Sequence, residues 1–346
     1  MDGGRMRKLR DTRVTLSHGG GGKAMRDLIE GVFLPAFGPG SGEDQARLSH
    51  AALSQPGARL AFTTDSFVVT PVEFAGGDIG KLAVCGTVND LAVGGARPLW
   101  LSAAFIIEEG CEIALLERVV ATMAREAAAA GVSVVTGDTK VVGRGQADGL
   151  FITTAGVGVI PPGRDLGAAR IRAGDIAIVN GVLGDHGAAI LAARGDLALS
   201  TDLQSDCQSL GHLMEAVLAV APDTRAARDA TRGGLASALN EMAEAAGLGV
   251  EIEETALPLR EEVRGVCEIL GLDPLYLANE GTLVLFVPPD QAGAALRAMQ
   301  SRPEGRGAAI VGRATAAHPG QVRMITAFGG ARIVDMLVGE QLPRIC

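Results

Sequence analysis

The chain has 346 residues, a formal charge of −9 at pH 7, 47% apolar residues and only 3% aromatics. Such a length favours two domains over one, with cores built from Ala, Val, Leu and Ile. The acidic balance disfavours a general grip on nucleic acid or an anionic membrane, so a bound nucleotide would need metal ions or backbone N–H groups to meet its phosphates.

No uncharged apolar run approaches the ~18 residues of a membrane span. Residues 1–14 form a basic extension (Arg5, Arg7, Lys8, Arg10, Arg13) without the apolar stretch of a signal peptide. Cys85, Cys111, Cys207, Cys267 and Cys346 are scattered, with no C-x-x-C pair. That spacing supports neither a zinc site nor a disulfide framework, and it fits a reducing cytoplasm.

The first loaded stretch is Ser17-His18-Gly19-Gly20-Gly21-Gly22-Lys23, ahead of a helical pattern over 24–33. Its glycines can turn N–H groups toward an anion near a helix N-terminus. Ala24 stands where a P-loop needs Ser or Thr and no strand precedes it, so the alternatives are a phosphate-contacting loop or a glycine linker. Residues 58–70 read as a strand or hairpin broken at Thr63-Thr64-Asp65-Ser66. A carboxylate such as Asp65 is costly there unless paired or metal-bound. Gly76-Gly77-Asp78 opens a small-residue apolar helix that carries Asn89 and Asp90. A strand over 98–107, a helix over 112–130, a strand over 132–135 ending at Thr136-Gly137-Asp138-Thr139-Lys140, and a strand over 149–159 follow.

Pro161-Pro162-Gly163 marks a boundary. It separates a first domain, 15–162, from a second, 163–315. The second domain shows strands at 174–179, 249–253, 282–287 and 308–313, with helices after His186, over 210–220 and 235–246, near 259–270 and over 290–300. Residues 316–346 form a C-terminal segment with two short strands and a tail. The fold class is α+β.

Three carboxylates, Asp65, Asp90 and Asp138, have no His or Cys companions, which suits a hard cation such as Mg²⁺; singly, each also fits a helix or turn cap. Lys140 shares a face with Asp138 in an extended segment, ready to neutralise an oxyanion or to form a surface ion pair. Glu280, in Asn279-Glu280-Gly281, precedes a strong apolar strand and is placed as a general base or as a turn residue. His186, in Gly184-Asp185-His186-Gly187, is the histidine kept as a site candidate. Cys346 ends the chain in Pro343-Arg344-Ile345-Cys346. Termini are mobile unless docked, Pro343 stiffens the approach, and Arg344 favours thiolate over thiol.

Asp65-Ser66-Phe67-Val68-Val69, Gly86-Thr87-Val88-Asn89-Asp90-Leu91-Ala92, Thr136-Gly137-Asp138-Thr139-Lys140-Val141 and Thr231-Arg232-Gly233-Gly234-Leu235 resemble the blocks of the aminoimidazole-ribonucleotide-synthetase-like (PurM-like) ATP-binding superfamily. With Leu16 to Gly22, Asn279-Glu280-Gly281 and the terminal Pro-Arg-Ile-Cys, the chain from about residue 14 onward resembles the HypE family of hydrogenase maturation factors, which are carbamoyl dehydratases.

The resemblance implies two α+β domains, the first pairing with its counterpart in a homodimer through a shared barrel, and a flexible C-terminal tail. It implies an ATP site drawing on Asp65, Asn89, Asp90, Gly137, Asp138, Thr139, Gly20 and Gly21, with Mg²⁺ on Asp65, Asp90 and Asp138. It further implies that Cys346 accepts a carbamoyl group from the carbamoyltransferase HypF and that ATP drives its dehydration to a thiocyanate. Glu280 would serve as base and Lys140 as charge partner, and the cyanide would pass to iron on the HypC–HypD complex for [NiFe]-hydrogenase. Two other readings are a small-molecule kinase of the same superfamily and a non-catalytic metal carrier with Cys346 as ligand.

Overall fold

A computed structural model describes residues 11–38, 45–195, 202–339, 342 and 344–346. The basic extension up to residue 10 and Pro343 lie outside the described residues. The first domain opens with the short helices α1 (Lys23–Leu28) and α2 (Leu34–Phe37), joined by a wider turn over Ile29–Phe33. Strand β1 (Arg59–Phe67) is unbroken through Thr63–Ser66. It tolerates Asp65 because it is the edge of its sheet and pairs only with one neighbour. A two-strand turn, β2 (Glu73–Phe74) and β3 (Gly77–Asp78), leads into helix α3 (Ile79–Val93), whose start Asp78 caps by accepting the Lys81 N–H at 2.9 Å. Strand β4 (Arg97–Glu108), helix α4 (Ile113–Ala130) and strands β5 (Ser133–Val142) and β6 (Leu150–Ile160) complete the domain. Helix α4 buries Leu116, Val119, Val120, Met123 and Ala127, a stripe at helical spacing, and ends at Gly131 in the left-handed region.

The sheet order is β1-β6-β4-β5. Strand β5 continues through Thr136–Lys140 instead of stopping before it, since β4 pairs with it residue by residue as far as Val142. One face of this sheet packs on α3, and small residues set the distance: a Cβ on Gly156 would stand 2.7 Å from Thr87, and one on Gly86 2.9 Å from the Phe67 ring. The other face stays open, with Leu60 64% and Phe62 72% exposed and Ile106 at 40%.

The second domain holds β7 (Ile176–Val179), α5 (Asp185–Arg194), α6 (Gly211–Val220), β8 (Ala226–Asp229), α7 (Gly234–Ala246), β9 (Gly249–Glu253), α8 (Glu261–Leu270), β10 (Leu283–Val287), α9 (Pro289–Gln300), β11 (Ala309–Thr315), β12 (Val322–Ile325) and β13 (Ala331–Val334). Its sheet runs β13-β12-β9-β11-β7-β10-β8. Strand β10 is buried at every position, as its unbroken run of Leu, Val and Phe requires. The segment from 316 is no separate unit as far as Val334, because β12 pairs in parallel with β9 and β13 pairs with β12.

Helix α3 lies between the domains and is buried along almost its whole length. Ala92 and Val93 join a second-domain core with Leu213 and Leu285, while Val84 and Val88 belong to the first-domain core. No helix among the described residues is long and apolar enough to cross a membrane.

Candidate active site at the domain junction

Glu280 sits in the loop that enters β10. The Asp206 carboxylate shapes that loop by accepting from Glu280 N–H at 2.9 Å, Gly281 N–H at 3.0 Å and Thr282 Oγ1 at 2.9 Å. Only glycine fits at 281, where a Cβ would stand 1.9 Å from the Asp206 carbonyl oxygen. The Glu280 side chain is 3% exposed, and its Oε1 has no hydrogen-bond partner among the described residues. Burial, then the nearby charges of Asp206, Asp229 and Asp65, hold its carboxyl well above the usual carboxylate range.

Asp65, Asp90 and Asp229 surround this group. Asp65 stands in the sheet row Asp65–Thr154–Ala103–Gly137, which faces α3, and Ser66 N–H donates to it at 2.8 Å. Asp90, on α3, accepts from Thr63 Oγ1 at 2.8 Å, and burial with help from Asp65 raises its carboxyl. Asp229, at the end of β8, is pushed up to about 6, first by burial and then by Asp90. Two cations face them: Arg232 works downward on Asp90 and on the Cys346 thiol, and Arg228 on Asp90 and Asp229. Asp229 and Arg232 are site residues that sequence reasoning missed as chemistry. Their signal was the Asp229-Ala230-Thr231-Arg232-Gly233-Gly234 run, in which Gly233 and Gly234 both take positive φ.

The chain end docks into this cluster. Ile345 is buried in the first-domain core, and the Cys346 thiol lies against the Glu280 carboxyl. A cavity of about 400 Å³ opens beside them, lined by Ser66, Arg232, Tyr276 and Cys346 among others. The end expected to be flexible is therefore held in place, because Ile345 has an apolar seat and the last carbonyls have donors. Arg344 does not favour the thiolate: its guanidinium pairs with Asp148 at 2.9 Å. Burial and then Glu280 instead push the Cys346 thiol far up, and Arg232 offsets only part of this.

Several expected site residues do not join this cluster. Asp138 lies on β5, the opposite edge of the sheet from β1, three strand spacings or about 14 Å away. It also faces the open side, since it pairs with Ala104 in the row next to that of Asp65. No single ion within one chain can span Asp65, Asp90 and Asp138, and no group of three metal-binding side chains occurs among the described residues. Lys140 shares the Asp138 face, as expected, and pairs with it at 3.6 Å. Gly137, Asp138 and Thr139 line a separate cavity of about 760 Å³ against α1 and α2. Gly20 and Gly21 are exposed on the turn before α1, next to Gly19, which packs on Val141 of β5. Asn89 is engaged by protein: its amide donates to the Gln208 and Glu280 carbonyls and its oxygen accepts from Leu210 N–H at 2.7 Å. It ties α3 to the second domain, with one oxygen lone pair left over.

Two mixed domains sharing a junction helix, with a carboxylate cluster at their seam, define an AIR synthase related protein. Residues 42–160 match the AIR synthase related N-terminal domain and residues 172–325 the C-terminal domain. The carbamoyl dehydratase HypE of Rhodobacter capsulatus is 78% identical over 338 residues, covering 98% of this chain and 99% of that protein. A crystal structure of the hydrogenase maturation protein HypE in complex with ATP superposes with a TM-score of 0.91 at 47% identity, covering 96% and 99% of the two chains. The HypE chain of a HypE–HypF complex gives 0.78 at 45% identity, covering 80% and 90%. The chain belongs to the HypE family of carbamoyl dehydratases and is an enzyme of hydrogenase maturation.

Proposed function

We propose that the enzyme dehydrates a carbamoyl group carried on its own Cys346 to a thiocyanate, at the expense of ATP, and so prepares cyanide for the iron of [NiFe]-hydrogenase. The observation that carries this reading is the contact between the terminal thiol and a buried, unsatisfied carboxylate. The ATP complex of a HypE with 47% identity supports the nucleotide.

The carbamoyl oxygen is a poor leaving group, and ATP with Mg²⁺ supplies a charge-neutralised γ-phosphoryl that converts it to phosphate. Asp65, Asp90 and Asp229 would suit a divalent cation, because beyond burial Asp65 raises the Asp90 carboxyl, and Asp90 and Asp65 raise that of Asp229, through repulsion that such an ion relieves. Mg²⁺ commonly takes one or two carboxylates plus waters and phosphates, so one or two of these side chains would hold it together with the triphosphate. Glu280 accepts protons from the thiocarbamate nitrogen as C≡N forms, and Arg232 balances charge at the oxygen. R–S–CO–NH₂ and ATP thus give R–S–C≡N, ADP, hydrogen phosphate and one proton. Passing the carbon on as a cyanide ligand while leaving a thiolate takes two electrons, which the acceptor must provide.

HypF is the proposed carbamoyl donor, since a HypE with 45% identity forms a complex with it; the HypC–HypD complex is the proposed acceptor. The open face of the first sheet is the proposed homodimer surface, which places Asp138 and Lys140 at the seam between copies. Cytoplasmic location follows from the reducing chemistry that a free terminal thiol needs.

Asp90→Asn keeps the side chain's shape and removes a charge, so MgATP should bind at least tenfold more weakly, about 1.4 kcal/mol, by titration calorimetry. Equal affinity would place the metal elsewhere. Phe62→Glu puts a charge on the open apolar face, and sedimentation should show the enzyme shift from dimer to monomer. An unchanged dimer would locate the interface on another surface.

A further inference from the structure

We propose that His186 is the positioning residue that registers the tail, gripping the Ile345 carbonyl so that the Cys346 sulfur arrives at Glu280. His186 Nε2 lies 2.7 Å from the Ile345 oxygen, and a carbonyl only accepts, so Nε2 carries the proton. That tautomer makes Nδ1 an acceptor for the Ser205 hydroxyl at 2.8 Å, and Ser205 Oγ in turn accepts from Cys207 N–H at 3.1 Å. The Phe74 ring meets the imidazole edge-on at 5.7 Å, and the histidine is wholly buried. Nδ1 and the ring plane are thus held by the body of the protein, which leaves the Nε2 proton for the tail.

The same helix grips the preceding carbonyl. Arg194, at the last turn of α5, donates to the Arg344 oxygen at 2.9 Å and to the Thr70 oxygen at 3.0 Å, while Thr70 N–H also donates to Arg344 at 3.2 Å. Arg344 has φ 54, so the chain turns there and offers two successive carbonyls to α5. Every one of these bonds is to main chain. The grip is therefore indifferent to whether the sulfur is free, carbamoylated or a thiocyanate, as a holder of a changing substrate must be. The sequence element Gly184-Asp185-His186-Gly187 finds its use here, with Gly184 close against Val263 and Leu277.

This inference rests on the reading of Cys346 as the carrier for its purpose, and its test does not. Iodoacetamide labelling of each cysteine, read by peptide mass spectrometry on the full-length protein, reports tail release without any carbamoyl chemistry. His186→Leu should speed labelling of Cys346 about fivefold to tenfold, as loss of one buried hydrogen bond predicts, while Cys85, Cys207 and Cys267 stay protected. His186→Gln, which restores an N–H at the Nε2 position, should return most of the protection. On preloaded protein, single-turnover dehydration should also slow in His186→Leu, because a tail out of register presents its sulfur poorly to Glu280. Labelling that rises without slower dehydration would overturn the registering role, whereas a parent protein that fails to dehydrate preloaded Cys346 would overturn the carrier reading and leave the grip standing. If His186→Leu exposes all cysteines alike, Ser205→Ala takes its place, since it unlocks the tautomer without removing the ring. Parental labelling of Cys346 in the variant that folds would overturn the proposal.

Discussion

Cys346→Ala should leave MgATP binding at the parental level and yield no dehydrated product at all. The carboxylates proposed for the nucleotide lie on β1, α3 and β8, none of which depends on the terminal sulfur for its fold. The sulfur, by contrast, is the only atom to which the carbamoyl group would be attached, so no residual rate is expected. Intact mass after incubation with the carbamoyltransferase, carbamoyl phosphate and ATP should show one carbamoyl adduct on the parent, followed by a species lighter by one water. An adduct mapping to Cys85, Cys111, Cys207 or Cys267 would sink the assignment. The buried pair Cys85 and Cys207 is a poor competitor, since burial and their mutual contact keep the Cys207 thiol protonated.

Glu280→Gln should slow dehydration by about 10²–10⁴-fold, the range for removing a general base, with nucleotide binding retained. The amide preserves shape and can still hydrogen-bond the tail. It cannot take protons from nitrogen. Because the carboxyl is raised well above its usual range, the parental rate should climb with pH along an acid limb displaced upward from that of an ordinary carboxylate. The sign follows from the role: a base must be ionised, and burial, then repulsion from Asp206, Asp229 and Asp65, delays ionisation. A Gln variant with the parental rate, or one that keeps the acid limb unchanged, would assign the base elsewhere.

The fold was legible where periodicity and turn residues agree. The helix after Asp78, the strand before Glu108 and the buried strand after Thr282 lie within a residue or two of their expected bounds, because each is marked by a cap, a glycine turn or an unbroken apolar run. Strand β5 was cut short because Thr136-Gly137-Asp138-Thr139 reads locally as a turn; pairing with β4 overrides that preference. The site was legible as residue types and not as a set. Asp65, Asp90, Glu280 and Cys346 meet, while Asp138 and Lys140 do not, and the difference is strand order and face, which no local pattern encodes. Asn89 misled because a polar atom in an apolar helix serves a domain contact as well as a ligand.

The high proton affinity of the docked Cys346 has a consequence for timing. In place beside Glu280, the sulfur is a thiol with almost no nucleophilic form, whereas a solvated cysteine near pKa 8.5 is a few per cent thiolate at neutral pH. Acyl acceptance is thereby suppressed at home and permitted abroad. Under the proposed function, the chain end would collect its cargo away from the carboxylates and on returning would meet a group able to take protons from it. Local acidity sorts the two half-reactions into two places, and an unloaded tail lying at rest in the enzyme is protected from stray electrophiles.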